Sequence, residues 1–154
     1  MKNVRLLALA CLASTVAAAG PFDQFKGKMK EGMYEYKMEM DMGQMPGMPP
    51  GMSPKQNMSF QKCLTAQDIE KGQMSRGGRD GKMPENCEVK NFNMSGNTAT
   101  YTMECKGERP MKADNTIVFS KDGYKMDMNM QMTQGGQAMN MAQHMEAKYL
   151  GPCK

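Results

Sequence analysis

A run of alternating methionines between Tyr124 and Met132 constrains the fold of this chain more than any other feature. Met126, Met128 and Met130 alternate there with charged or amide side chains. In a β-strand every second side chain lies on the same face, so the run predicts a strand with one apolar face. A register error of one residue would move the methionines to the other face, so the pattern also restricts how this strand pairs.

Two dipeptides predict the neighbours of this strand. Asp122-Gly123 precedes it and Gly135-Gly136 follows it, and both tolerate the positive φ that two-residue hairpin turns require. We therefore expect a three-stranded antiparallel meander over residues 115–145. Counting back from the turns predicts these pairs: Phe119 with Met126, Ile117 with Met128, Met132 with Met139, Met130 with Met141, and Met126 with Met145.

A second alternating segment, residues 33–42, predicts another strand of the same sheet. Its tyrosines and its methionines from Met38 onward occupy one face, and three acidic residues and a lysine occupy the other. The predicted apolar face of the sheet comprises Tyr34, Tyr36, Met38, Met40, Ile117, Phe119, Met126, Met128, Met130, Met141 and Met145.

The remaining segments have weaker patterns. Residues 20–32 carry two phenylalanines among lysines and glycines, and we interpret them as a mobile lead-in. Asn57–Cys63 predicts a short return strand. Thr65, with an acid three residues later, predicts a capped helix that ends near Lys71. Glycines and prolines predict that residues 43–54 and 72–86 form loops.

The residues between Cys87 and Cys105 predict a hairpin with two conflicting registers. A three-residue turn centred on Gly96 places the two cysteines opposite each other. A two-residue turn instead pairs Met94 with Ala99, and this register differs by one residue from the one that aligns the cysteines. A β-bulge on one strand would reconcile the two registers.

The cysteine count predicts two disulfides. Five cysteines are present, and the first lies within the leader described below. An even number in a small exported chain favours disulfides. Since the hairpin brings Cys87 and Cys105 together, elimination predicts a second bond between Cys63 and Cys153.

The chain begins with a pattern typical of a secretory signal peptide. Lys2 and Arg5 precede a short apolar run that ends in small residues, which predicts cleavage near Ala19. Cys11 is preceded by too few apolar residues to favour a lipoprotein. The product of about 135 residues would have no membrane span and would be periplasmic or secreted. Its formal charge would fall from +4 to +2, which does not favour nucleic acid as a partner.

These features predict one all-β domain over residues 33–154, preceded by the leader (1–19) and the lead-in (20–32). We expect a single antiparallel sheet of six to eight strands, strongly curled or a half-barrel, with one short helix.

Several motifs, taken in order, resemble the bacterial domain-of-unknown-function 3617 family. They are Gly32-Met-Tyr-Glu35, the Met-Pro-Gly-Met-Pro loop, Cys63-Leu-Thr-Ala-Gln-Asp68, Ser95-Gly-Asn between Cys87 and Cys105, and the closing Leu150-Gly-Pro-Cys153. The resemblance covers essentially the whole chain after the leader. It implies export and β architecture, and it supplies no activity and no site. One departure is Tyr34, which stands where the family pattern suggests a tryptophan. The departure argues against a ligand role for this ring and leaves a packing role.

Catalysis has little support in the sequence, so we expect no enzyme. His144 is the single histidine, and it has no serine or acid at a suggestive spacing. The acidic residues near Glu39 lie on the polar face of a strand, whereas general acid–base chemistry usually requires burial.

The methionines, 22 in the whole chain, suggest four interpretations. They could form the core of a chain that lacks tryptophan, or line a face that binds an apolar small molecule or an envelope protein. They could also hold Cu(I) or Ag(I), because thioether sulfur suits soft cations. Exposed methionines could, fourth, consume oxidants. The metal candidates are Met45, Met48 and Met52 in the proline-rich loop, or Met130, Met132, Met139 and Met141 at the sheet edge; no other cofactor is expected.

Overall fold

The computed structural model describes residues 20–43, 54–74, 86–107, 110–134 and 136–154. Seven strands make up most of this part of the chain. They are β1 (Gly32–Asp41), β2 (Lys55–Leu64), β3 (Cys87–Ser95), β4 (Thr98–Cys105), β5 (Met111–Ser120), β6 (Gly123–Gln134) and β7 (Gln137–Gly151). A 3-10 helix (Pro21–Phe25) precedes β1, and one α-helix, α1 (Ala66–Glu70), follows β2.

The strands form one antiparallel sheet in the order β2-β1-β7-β6-β5-β4-β3. Consecutive strands are neighbours in the sheet, except for β2 and β3, which lie at its opposite edges. The last strand, β7, returns to pair with β1 as well as with β6. The sheet does not close, because β2 and β3 remain as its edges within the described part of the chain. The expectation of an all-β half-barrel with six to eight strands and one short helix is therefore confirmed.

The register of β6 with β7 is the predicted one. Met132 pairs with Met139, Met130 with Met141 and Met126 with Met145.

The predicted register of β5 with β6 is wrong by two residues. Phe119 pairs with Tyr124 and Ile117 with Met126, so the turn residues are Lys121 and Asp122 rather than Asp122 and Gly123. A shift of two preserves the alternation, and the methionines of β6 stay on the predicted face.

A β-bulge reconciles the two registers of the β3–β4 hairpin, as the sequence predicts. Cys87 lies opposite Cys105, Met94 lies opposite Ala99, and the register shifts between Lys90 and Asn93. Asn91, within the bulge, has a φ of 52°. Because one extra residue rephases the alternation, side chains on both sides of the bulge reach the same face.

The helix α1 begins with the predicted capping box. The Asp68 backbone N–H donates to the Thr65 hydroxyl, and the Thr65 backbone N–H donates to the Asp68 carboxylate at 3.0 Å. Ile69 on this helix is buried.

The 3-10 helix occupies residues that the sequence assigns to a mobile lead-in. Phe22 and Phe25 are 5% and 0% exposed and belong to the main core. The Phe25 ring lies 5.0 Å from that of Phe119 on β5, and the Phe22 ring lies 5.4 Å from that of Tyr101 on β4. This segment is thus part of the folded domain, because its two aromatic rings cover one face of the sheet.

Two disulfides link the cysteines in the predicted pairs. Cys87 is bonded to Cys105 across the β3–β4 hairpin. Cys63, in the edge strand β2, is bonded to Cys153, with Cα atoms 5.6 Å apart. The second bond ties the C-terminus to β2 across the strand that lies between them.

Candidate functional site

One face of the sheet, the core face, carries all the buried apolar side chains of the described strands, and β3 contributes the half-buried Val89, Phe92 and Met94 to it. Its closed half lies at the end of the sheet near the 3-10 helix and α1. The buried rings there include Tyr34, Tyr36 and Tyr124, and the Tyr124 hydroxyl donates to the Met74 carbonyl oxygen at 3.1 Å. Burial raises the pKa of Tyr36 to about 12, so this hydroxyl remains neutral near pH 7. The closed half is therefore packed structure rather than a reactive site.

The core face continues beyond this packed half as a surface of half-buried methionines. Two cross-strand rows form it: Met141 and Met130 lie beside Ala113 and Met103, and Met139 and Met132 lie beside Met111. We define the methionine surface as Met103, Met111, Met130, Met132, Met139 and Met141, all of intermediate burial.

A row with two amides separates the packed half from the methionine surface. Met128 lies there between Asn115 on β5 and Gln143 on β7. Asn115 is 3% exposed, and its amide donates to the Ala113 carbonyl oxygen at 3.0 Å. The change in burial along β6 therefore coincides with a change from the apolar neighbours of Met126, which are Ile117 and Met145, to the amide neighbours of Met128.

The structure places all the residues of the predicted apolar face on the core face, but in two environments. Tyr34, Tyr36, Met38, Ile117, Phe119, Met126 and Met145 are buried, whereas Met40, Met128, Met130 and Met141 are half-buried. The sequence interpretation missed Tyr124 and Ala147, which are buried on the same face. Their positions in the alternation of β6 and β7 could have identified both.

The metal candidates are only partly described. Met45, Met48 and Met52 lie outside the described residues. Met130, Met132, Met139 and Met141 form two directly opposed pairs on β6 and β7, which brings their thioethers to one region of the core face. Within the described segments, no group of three or more histidine, cysteine, aspartate or glutamate side chains could hold a metal ion.

His144 has acidic partners that the sequence interpretation did not find. Its Nδ1 lies 2.6 Å from a carboxylate oxygen of Asp127, and its Nε2 lies 3.7 Å from one of Glu146. The hydrogen bond to Asp127 raises the pKa of His144 above its ordinary value. The signal was present, because the register that pairs Met126 with Met145 also places Asp127 opposite His144.

This histidine is poorly suited to act as a general base. Both ring nitrogens face carboxylates, which favour the protonated imidazolium. Its side chain is 41% exposed on the polar face of the sheet. The geometry describes an exposed ion-pair cluster that also includes Lys125, bonded to Glu146.

None of the helices in the described ranges is both long enough and apolar enough to cross a membrane.

Comparison with known proteins identifies a family but no named function. No curated protein and no solved structure matches the chain at a significant level. The family described as "Protein of unknown function (DUF3617)" matches residues 29–153, which include every strand and both disulfides. The chain therefore belongs to the DUF3617 family.

Proposed function

We propose that the protein is an exported, non-enzymatic binding protein of the bacterial envelope whose methionine surface holds an apolar small molecule. The observation that carries this proposal is the half-burial of six methionines that continue the core face beyond its packed half. A side chain needed only for the core would be expected to be buried like Met126 and Met145, which are 5% and 0% exposed.

The chemistry of the surface favours an apolar ligand. Thioether side chains are flexible and polarisable, so they adapt to guests of different shape. The two methionine rows contain no charged side chain, because the charges of β5, β6 and β7 alternate onto the polar face. A flexible hydrocarbon chain that lies across these strands would remove the exposed apolar area of the methionine side chains from water.

Two observations support export. The first is the charged start, apolar run and small residues of positions 1–19, the pattern of a secretory signal peptide. The second is the pairing of all four later cysteines in disulfides, which persist in oxidising compartments.

Methyl NMR of the oxidised protein, with ¹³C-labelled methionine methyl groups, tests this function. Titration with a long-chain fatty acid should shift the methyl signals of Met130, Met132, Met139 and Met141 in a saturable manner. The signals of the buried Met38 and Met145 should move little, because the packed half has no room for the ligand.

A pair of variants gives the matched comparison. Met130→Gln with Met141→Gln should weaken the binding by about tenfold or more, since each removes apolar contact area. Met58→Gln should not weaken binding, because Met58 lies on the edge strand β2, outside the methionine surface, and is already 46% exposed. Absence of saturable shifts, or equal loss in the Met58 variant, would exclude the methionine surface as the binding site.

Binding of Cu(I) or Ag(I) is the second candidate function. The two opposed methionine pairs of β6 and β7 favour it, since they supply up to four thioethers from adjacent strands. Competition with a chromogenic Cu(I) chelator tests it. If these pairs form the site, the Met130→Gln, Met141→Gln variant should bind Cu(I) more weakly. Unchanged affinity for Cu(I) would exclude these two pairs as the metal site.

A further inference from the structure

A basic hollow lies at the end of β6 opposite the methionine surface. Its volume is about 380 Å³, and Lys28, Lys30 and Lys121 line it. It forms where the loop after the 3-10 helix, the β3–β4 turn and the β5–β6 turn meet the last residues of β7.

Backbone hydrogen bonds hold these turns in place. The Phe119 N–H donates to the Asn97 carbonyl oxygen, which joins the β3–β4 turn to the end of β5. The Tyr149 N–H donates to the Asp122 carbonyl oxygen, which joins the β5–β6 turn to β7. Both N···O distances are 2.8 Å. The walls of the hollow therefore belong to the hydrogen-bonded framework of the sheet.

Among the residues that the structure describes, no carboxylate balances the positive charge of the hollow locally. The described lining residues include no aspartate or glutamate, and Asp122, although adjacent to Lys121, is not among them. The Lys28 ammonium donates to the neutral Asn97 side chain at 2.9 Å, and the Lys30 ammonium lies 5.7 Å from the centre of the Tyr149 ring.

Other lysines of the protein are arranged differently. Lys26, Lys62, Lys90 and Lys125 each lie within 4 Å of a carboxylate oxygen. The three lysines of the hollow have no such ion pair within the described part of the chain. Three unbalanced cations around one concave volume produce a local positive potential.

The floor of the hollow is aromatic and fixed. Phe119 and Tyr34 are 3% and 2% exposed. The Tyr34 hydroxyl donates to the Lys30 carbonyl oxygen at 2.9 Å and accepts from the Lys30 N–H at 3.3 Å. This buried ring thus sets the backbone position of Lys30, and the site needs little rearrangement to bind a ligand.

We propose that the basic hollow binds the phosphate group of a phosphomonoester. Such a group carries a charge of about −1.5 to −2 near neutral pH and offers three acceptor oxygens. Three ammonium groups match that charge better than they match a carboxylate, and lysine commonly binds phosphate as a point charge. The aromatic floor would contact the uncharged part of the ligand. The same chemistry occurs in soluble phosphate esters and in the headgroup of phosphatidic acid, so the experiment has one arm for each.

Titration of the oxidised protein with inorganic phosphate, monitored by ¹H–¹⁵N NMR at constant ionic strength, tests the proposal. Saturable shifts should be confined to the backbone amides of the hollow, including Lys28, Lys30, Asn97 and Lys121. The same titration with chloride should not reproduce them. In the second arm, vesicles of phosphatidylcholine with and without phosphatidic acid are sedimented with the protein. Binding only to phosphatidic acid vesicles assigns the lipid headgroup, and phosphate binding without vesicle binding assigns a soluble ester.

Charge variants distinguish this site from general attraction of anions. Lys28→Gln with Lys121→Gln should weaken phosphate binding by about tenfold or more. Lys112→Gln with Lys148→Gln removes the same charge from exposed lysines that do not line the hollow, and it should leave the affinity unchanged. All four lysines are exposed, so melting temperatures should stay close to that of the unmodified protein. Shifts that are not saturable, or equal loss in both double variants, would overturn the proposal. Neither outcome depends on the methionine surface.

Discussion

At the scale of single residues, Gly123 is the described glycine at which an added Cβ atom would make the shortest contact. It begins β6 with a φ of 150°, and a Cβ atom there would collide with the Ala147 carbonyl of β7. We expect Gly123→Ala to lower the free energy of unfolding by about 3 kcal/mol, because the backbone of β7 must move. Urea denaturation with the disulfides intact measures the change.

The matched control is Gly136→Ala. Gly136 also has a positive φ, 79°, but nothing lies within 4 Å of a Cβ built there. Backbone strain alone should cost about 1 kcal/mol. Equal losses in the two variants would show that the approach of β7 to Gly123 does not limit stability.

The same glycine explains why one turn was misplaced from the sequence. Asp-Gly is a strong signal for a two-residue hairpin turn, so the sequence assigns Gly123 to the turn. The structure instead places Gly123 in β6, opposite Ser120, where glycine is required by the close approach of β7. The turn preference of Asp-Gly is a local property, so it contains no information about the approach of β7 to Gly123.

At the scale of elements, the N-terminal 3-10 helix contributes more to the core than its sequence suggests. Phe25 is completely buried against the rings of Phe119 and Phe92. We expect Phe25→Ala to reduce the free energy of unfolding by about 3 to 5 kcal/mol, because it leaves a cavity the size of an aromatic ring. Phe60→Ala, on the edge strand β2, should cost less because Phe60 is only half-buried. If the 20–32 segment were a mobile lead-in, Phe25→Ala would leave stability unchanged.

Strands were predictable and this short helix was not, for a physical reason. Alternation in residues 33–42 and 124–132 is a local pattern imposed by the geometry of a strand. The burial of Phe22 and Phe25 depends on a distant face of the sheet that needs a cover. One local signal did exist: two aromatics three residues apart, after a proline, lie on one side of a 3-10 helix.

At the scale of the whole molecule, the alternation predicts which face carries the methionines but not where that face is packed. Met126 and Met130 occupy equivalent positions in the pattern, yet Met126 is buried and Met130 is half-buried. Met126 belongs to the core cluster that includes Phe22 and Phe25 of the 3-10 helix, and Met130 does not. Neither the open methionine surface nor the basic hollow, which combines three separate turns, could be derived from periodicity within one strand.

The two disulfides should stabilise the molecule unequally, because they close loops of different length. Cys63 and Cys153 are 90 residues apart in the chain, and Cys87 and Cys105 are 18 apart. The chain-entropy relation gives about 4.6 kcal/mol for the long loop and about 3.2 kcal/mol for the short one. The Cys63→Ser, Cys153→Ser variant should therefore lose about 1.4 kcal/mol more than the Cys87→Ser, Cys105→Ser variant.

Urea denaturation of the two double variants measures this difference, and the slope of the transition provides a second readout. Removing the disulfide that closes the longer loop lets the unfolded chain expand further. The free energy of unfolding should therefore fall more steeply with urea concentration in the Cys63→Ser, Cys153→Ser variant than in the other. A larger loss from the Cys87, Cys105 variant would contradict the prediction. Such a result would show that the β3–β4 hairpin, at an edge of the sheet, depends on its disulfide more than the C-terminus depends on its bond to β2. The reason would be that β7 is already held by hydrogen bonds to both β1 and β6.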